Sequence, residues 1–210
     1  MNFDWAKITS SAYLTLLELD IHEFPIPAKK IKCKDVIISS YQKYAKITGL
    51  PIEKITLGHE LEDAFLLKGL RPDVTLILYN KEKYGPRMKH TLWHEIGHKC
   101  GHKKHSEREE IEAHFFAAQA NAPNILIKAI SQRGYSINVP FLVECFGLSK
   151  EAAEKKMEYL QKYSFNHCNE YDDLVQLQFA QYLNQKYPPK TNHYYDDYFE
   201  DMEKERQGWY

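Results

Sequence analysis

No stretch of this sequence is apolar over the roughly 20 residues that a bilayer-spanning helix needs, and no signal-peptide hydrophobic segment follows the N-terminus. The expectation is a cytoplasmic protein with no membrane partner. Cysteine is scarce: Cys33, Cys100, Cys145 and Cys168 are widely spaced and form no CxxC pair. That spacing argues against a structural zinc knuckle and against a secreted disulfide framework, and leaves reduced thiols as the plain reading. An excess of one charge is also missing. Lys and Arg number 28 against 29 for Asp and Glu, a net charge of −1, which gives no general attraction to nucleic acid. Residues 196–206 alone gather six acidic and two basic side chains, interleaved nearby with Tyr194, Tyr195, Tyr198 and Phe199. With 43% hydrophobic and 27% charged residues, the 210-residue chain is long enough for one sizeable domain and an appendage.

Against that ordinary background, residues 91–98 (Thr-Leu-Trp-His-Glu-Ile-Gly-His) hold a complete HExxH signature within an amphipathic helical pattern. Residues four apart share one face of a helix, so His94 and His98 can offer both imidazoles to a single metal ion. Glu95 stands beside the pair, placed to take a proton from an activated water. Ten histidines occur in the chain, so the pair alone proves little. Its setting adds weight: the helix is apolar at Leu92, Trp93, Ile96 and Cys100, and the segment before it reads as strand.

Catalytic zinc usually has three protein ligands and one open position, so a third donor is needed. The run through Gly101 begins the metzincin pattern, but the position of its third His is Lys104, with His102 and His105 out of place on either side, and no Met-turn follows. A second scheme uses the next helix. Ser106 and Glu109 form a capping box that opens a helix over residues 107–121. Glu110 lies on one face with Ala113, His114 and Ala117, whereas Glu112 is turned about 200° away. Small alanines there allow two helices to approach closely, and His114 is placed to hydrogen-bond a ligand from behind.

The pair of segments His94-Glu95-Ile96-Gly97-His98 and Glu110-Ile111-Glu112-Ala113-His114-Phe115-Phe116-Ala117 resembles the ImmA/IrrE family of metallo-endopeptidases, in which an HExxH helix precedes an E-x-[EQ]-A-[ND]-x-F-A helix. Pro123 matches the proline that closes the second motif. The resemblance runs over residues 5–160 and is sharpest over 60–123. It implies Zn2+, with Mn2+ as the alternative, held by His94, His98 and Glu110, with Glu95 as catalytic base. It also implies a protein substrate, a partner helix-turn-helix repressor of the XRE type, whose cleavage releases stress-response or mobile-element genes. His114 departs from the family's usual Asn or Asp.

The resulting expectation is an α+β, zincin-like fold: a small β-sheet packed on several helices that include the HExxH helix, followed by a helical C-terminal part. A zinc metallopeptidase domain is assigned to residues 1–165, and a C-terminal helix with an acidic aromatic tail to 166–210. Hydrophobic spacing predicts an opening helix over 4–19, a short basic helix over 28–34, a strand over 36–41 and a short helix within 52–57. Residues 64–67 and 74–79 read as a strand pair, the second either an edge strand over the metal or a central core strand. Further helices are expected over 124–132, 150–163 and 170–187, with Gly134-Tyr135 as a turn. His90, four residues before His94, shares its face. Peptide hydrolysis needs a second electrophile, for which Tyr135, His102 and His105 are candidates. Two rival classes remain: a zinc-containing interaction protein that binds a repressor or toxin without cutting it, and a zinc hydrolase of small amides or esters.

Overall fold

Apolar spacing at Ala12, Tyr13 and Leu16 gives the first helix, α1 (Trp5–Glu18), one buried face, and the Asp4 side chain caps it by accepting from the Lys7 amide. The structure is a computed structural model that describes residues 3–59, 62–71, 74–83, 85–101, 106–163 and 168–190. The basic helix expected over 28–34 is only a single 3-10 turn, Ala28–Lys30. Strand β1 (Val36–Ser40) follows, and then a helix absent from the sequence reading, α2 (Tyr41–Thr48). Its boundaries are nonetheless written in the chain. The Ser40 hydroxyl accepts from the Lys43 amide at one end, and Gly49 takes a left-handed φ of 71° at the other. One turn of helix, α3 (Ile52–Ile55), precedes β2 (Ala64–Arg71) and β3 (Val74–Tyr79).

The fold is α+β, mostly helical, with a three-stranded sheet in the order β1-β3-β2. β1 runs parallel to β3, with Val36 opposite Thr75, and β2 runs antiparallel to it, with Ala64 opposite Tyr79. β3 is therefore the central strand, and β2 keeps one edge unpaired among the described residues. Alternation along β3 sends Ile77 to the main core and Leu76 and Leu78 to a smaller cluster with Tyr41, Ile55 and Phe65.

Two helices follow in sequence, α4 (Gly85–Gly101) and α5 (Glu107–Asn121), then α6 (Asn124–Gln132), α7 (Val139–Phe146) and α8 (Lys150–Tyr163). The final helix expected over 170–187 is two, α9 (Asp172–Gln178) and α10 (Ala180–Lys186), parted at Phe179. Phe179 is fully buried and stacked on Phe24 at 5.0 Å, so the joint is held by the core. The same core takes in Ala12 and Leu16 of α1, Trp93 of α4 and Phe116 of α5. Gln178 ties α9 to the end of α1 by donating to the Leu16 and Ile21 carbonyls. Among the described residues, no helix is long and apolar enough to cross a membrane. The aromatic acidic tail lies outside the described residues.

Candidate active site

The site is made where α4 crosses α5. Leu92, Trp93 and Ile96 are buried to within 1% and anchor α4 in the core, which turns His94 and His98 toward α5. Gly97 permits the crossing. A methyl group in its place would stand 3.2 Å from the Ala113 Cα and 3.2 Å from the Phe116 ring, tighter than packed carbon atoms adopt. The start of α5 is fixed by the predicted capping box: the Glu109 amide donates to the Ser106 hydroxyl, and the Ser106 amide donates to the Glu109 carboxylate. One residue later Glu110 faces the two histidines.

The three donor groups converge. His94 Nε2 and His98 Nε2 are 3.0 Å apart, and the two Glu110 oxygens lie 3.3 Å from one histidine nitrogen each. Donors about 2.05 Å from a tetrahedral zinc stand about 3.3 Å from one another, so this spacing fits a zinc-sized ion. Among the described residues, His94, His98 and Glu110 form the one group of such donors able to hold a metal. The histidine side chains are 11% and 10% exposed and that of Glu110 45%, so the site is closed on the α4 side and open toward solvent beside Glu110. Burial, reinforced by His114, His98 and His90, pushes the His94 pKa down to about 3 and favours the neutral imidazole that a metal requires.

Glu95 is 9% exposed. Burial first, then the carboxylates of Glu62 and Glu110, push its pKa up to about 8, and a cation in the site would oppose that rise. Glu62 comes from the approach to β2, a region that sequence reading left without a role. Its backbone carbonyl accepts from the Tyr41 hydroxyl at 3.2 Å, and its carboxylate pairs with His59 Nδ1 at 3.0 Å. The His59 ring in turn stacks on Phe65 at 4.1 Å. Asp63 clamps this segment to α4 through Arg87, and also takes Lys83 at 3.1 Å. No spacing rule connects Tyr41, His59 and Glu62 to the HExxH helix, because the sheet brings them there.

The other residues singled out in sequence fall in different places. His114 stands with its ring 4.3 Å from that of His94, but its Nδ1 lies 3.3 Å from His90 Nε2. The His94 Nδ1 is buried without a hydrogen-bond partner among the described residues. His90 is thus a partner of His114 within the site's surroundings, and burial, with His114 and Lys155, pushes its pKa down to about 4. Glu112 is buried away from the donors and accepts from Arg108 at 2.9 Å. Tyr135 packs on Tyr187 at 5.3 Å and under the Lys190 ammonium at 4.4 Å, and among the described residues nothing joins it to the three donors. His102 and His105 lie outside the described residues.

Two imidazoles one helical turn apart and a carboxylate from the following helix are groups that could hold one metal ion, with a buried glutamate beside the first imidazole. Comparison with protein families points the same way: the IrrE N-terminal-like domain, peptidase family M78, matches residues 46–158. The chain belongs to this family, the ImmA/IrrE metallopeptidases. The match runs from the end of α2 into α8 and includes every donor, and the family implies a metal ion at this place. Searches of curated proteins and of solved structures returned no match.

Proposed function

We propose that the protein is a zinc-dependent endopeptidase that cuts a protein substrate, an XRE-type repressor, within the cytoplasm. The observation that carries this reading is the convergence of His94, His98 and Glu110 within 3.3 Å of one another, with buried Glu95 next to the first of them. When bound there, zinc polarises a scissile carbonyl and acidifies the attacking water. Glu95 accepts the proton of that water and returns it to the leaving nitrogen, so one carboxylate serves as base and then as acid. Its low exposure keeps bulk water from competing for the proton.

The unpaired edge of β2 is the natural place for the substrate in a zincin-like arrangement. An extended peptide can add to a sheet edge by main-chain hydrogen bonds, and β2 packs against the helix that carries Glu95. The repressor as substrate rests on family membership alone, and the choice of zinc over manganese on the donor chemistry. The test is to incubate the protein with zinc or manganese and the repressor encoded nearest its gene, beside Glu95→Gln, and to read fragments by intact mass. A metal-dependent cut that the variant fails to make is the expected result. Tight binding without a cut in either protein would favour an interaction protein instead.

A further inference from the structure

One atom beside the three donors has no evident support. His94 and His98 face Glu110 through Nε2, so a neutral His94 that offers this nitrogen to a metal carries its proton on Nδ1. A ligating histidine ordinarily donates that proton to a carboxylate, a carbonyl or a water, which fixes the direction of its ring. His94 Nδ1 is instead buried with no hydrogen-bond partner among the described residues. The ring has to be held in another way.

Among the described residues its ring contacts are His98, edge-on at 4.5 Å, and His114 of α5, at 4.3 Å and tilted by 44°. His98 is itself a donor to the ion, so the support from outside the donor set is His114. What holds His114 is His90, one turn before His94 on α4. Their planes differ by 11°, their ring centres stand 5.6 Å apart, and His114 Nδ1 is 3.3 Å from His90 Nε2. The excess of the first distance over the second is what two ring radii add, so both nitrogens lie on the line between the centres and meet head-on. That is the geometry of one N–H donated to one lone pair. An ion on the same line would need the nitrogens about 4.1 Å apart, twice the zinc–nitrogen distance, so a proton and not a metal joins this pair. His114 is otherwise exposed, and without the bond its ring would be free to turn into solvent and leave His94 without a wall behind it.

We propose that His90 is a positioning residue for the metal site: by hydrogen-bonding His114 across the α4–α5 crossing, it holds the His94 imidazole with Nε2 aimed at the ion. The inference rests on His94, His98 and Glu110 being a metal site, and on nothing about the substrate.

The test is the zinc affinity of the full chain, measured by competition with a chromophoric chelator. Wild type binds one zinc; if it binds none, the reading of the metal site falls and this proposal with it. His114→Ala weakens zinc binding by roughly tenfold or more, and His90→Phe by roughly threefold to tenfold. His90→Gln, whose amide can donate or accept where Nε2 did, returns the affinity to within about twofold of wild type. In a His114→Ala chain, His90→Phe adds no further loss. The metal-free variants keep the far-ultraviolet circular dichroism spectrum and melting temperature of metal-free wild type, which separates the aim of the ligand from the stability of the fold. The proposal is overturned if His90→Phe binds zinc as tightly as wild type, if His90→Gln is no better than His90→Phe, or if the two losses add in the double variant. A chain that binds zinc and cuts no repressor leaves each of these outcomes readable.

Discussion

Glu95 differs from its neighbours on α4 in what it lacks. His94 and His98 have partners in each other and in Glu110, whereas Glu95 is buried beside two further carboxylates. Glu95→Gln preserves size and removes the base, so the variant should retain stoichiometric metal, measured by elemental analysis, while cleavage falls by a factor of about 100 or more. Glu110→Ala should do the reverse and lose metal, because two imidazoles alone bind zinc poorly. If Glu112→Ala lost metal and Glu110→Ala kept it, the third donor would be misassigned. These four residues were legible in sequence because three short-range rules place them: the i, i+4 face, the capping box and the turn per residue of α5. Tyr41 and Glu62 were not, since their influence on Glu95 depends on how the sheet docks on α4.

Between α4 and α5 the helix packing sets how far apart the donors stand. Gly97→Ala gains about 0.5–1 kcal/mol of helix propensity, but the added methyl meets the Ala113 backbone and the buried Phe116 ring, neither of which yields easily. Overpacking of this kind costs about 1–3 kcal/mol. The net effect should be lower thermal stability together with weaker metal binding, read by calorimetry and metal competition. An HExxH pattern fixes its ligands but leaves the residues between them free, so only the observed crossing shows why glycine stands there.

On α8, Lys156 is 5% exposed, and among the described residues its Nζ has no hydrogen-bond partner and lies 5.9 Å from the Tyr159 ring centre. Burial pushes its pKa from the ordinary 10.5 down to about 7. Between those values the unfolded chain holds a proton that the folded chain has released, so this lysine makes stability rise with pH across the window. The cost is complete below pH 7 and vanishes near 10.5. Lys156→Met should therefore stabilise the protein at pH 7 by a few kcal/mol, with the advantage shrinking toward pH 10 in denaturant titrations. Sequence spacing put α8 at residues 150–163, and Lys156 falls three after Ala153 and four before Leu160 on the buried face, where its charge masks the periodicity.

For the whole molecule, a metal ion held by these donors would be one more ligand of the folded state. At a free metal concentration 100 times the dissociation constant, the folded protein would gain about 2.7 kcal/mol, so chelation should lower the melting temperature and added metal should restore it. Glu110→Ala should show no such response. The order of elements was largely legible because caps and breakers mark most boundaries, as Ser106 and Pro123 do for α5 and α6. The sheet order was not, because β1 meets β3 across a connection of α2, α3 and β2 that no local signal specifies.

His98 and Glu110 are only 12 positions apart in the chain. The third arm of the chelate thus closes a short loop, and the entropy lost in closing loops grows slowly with length, about 0.6 kcal/mol per doubling. During synthesis the full donor set exists once α5 has emerged, before α6 to α10 are made. An ion bound there would act as a clasp, holding α4 to α5 while the remaining helices are still to arrive.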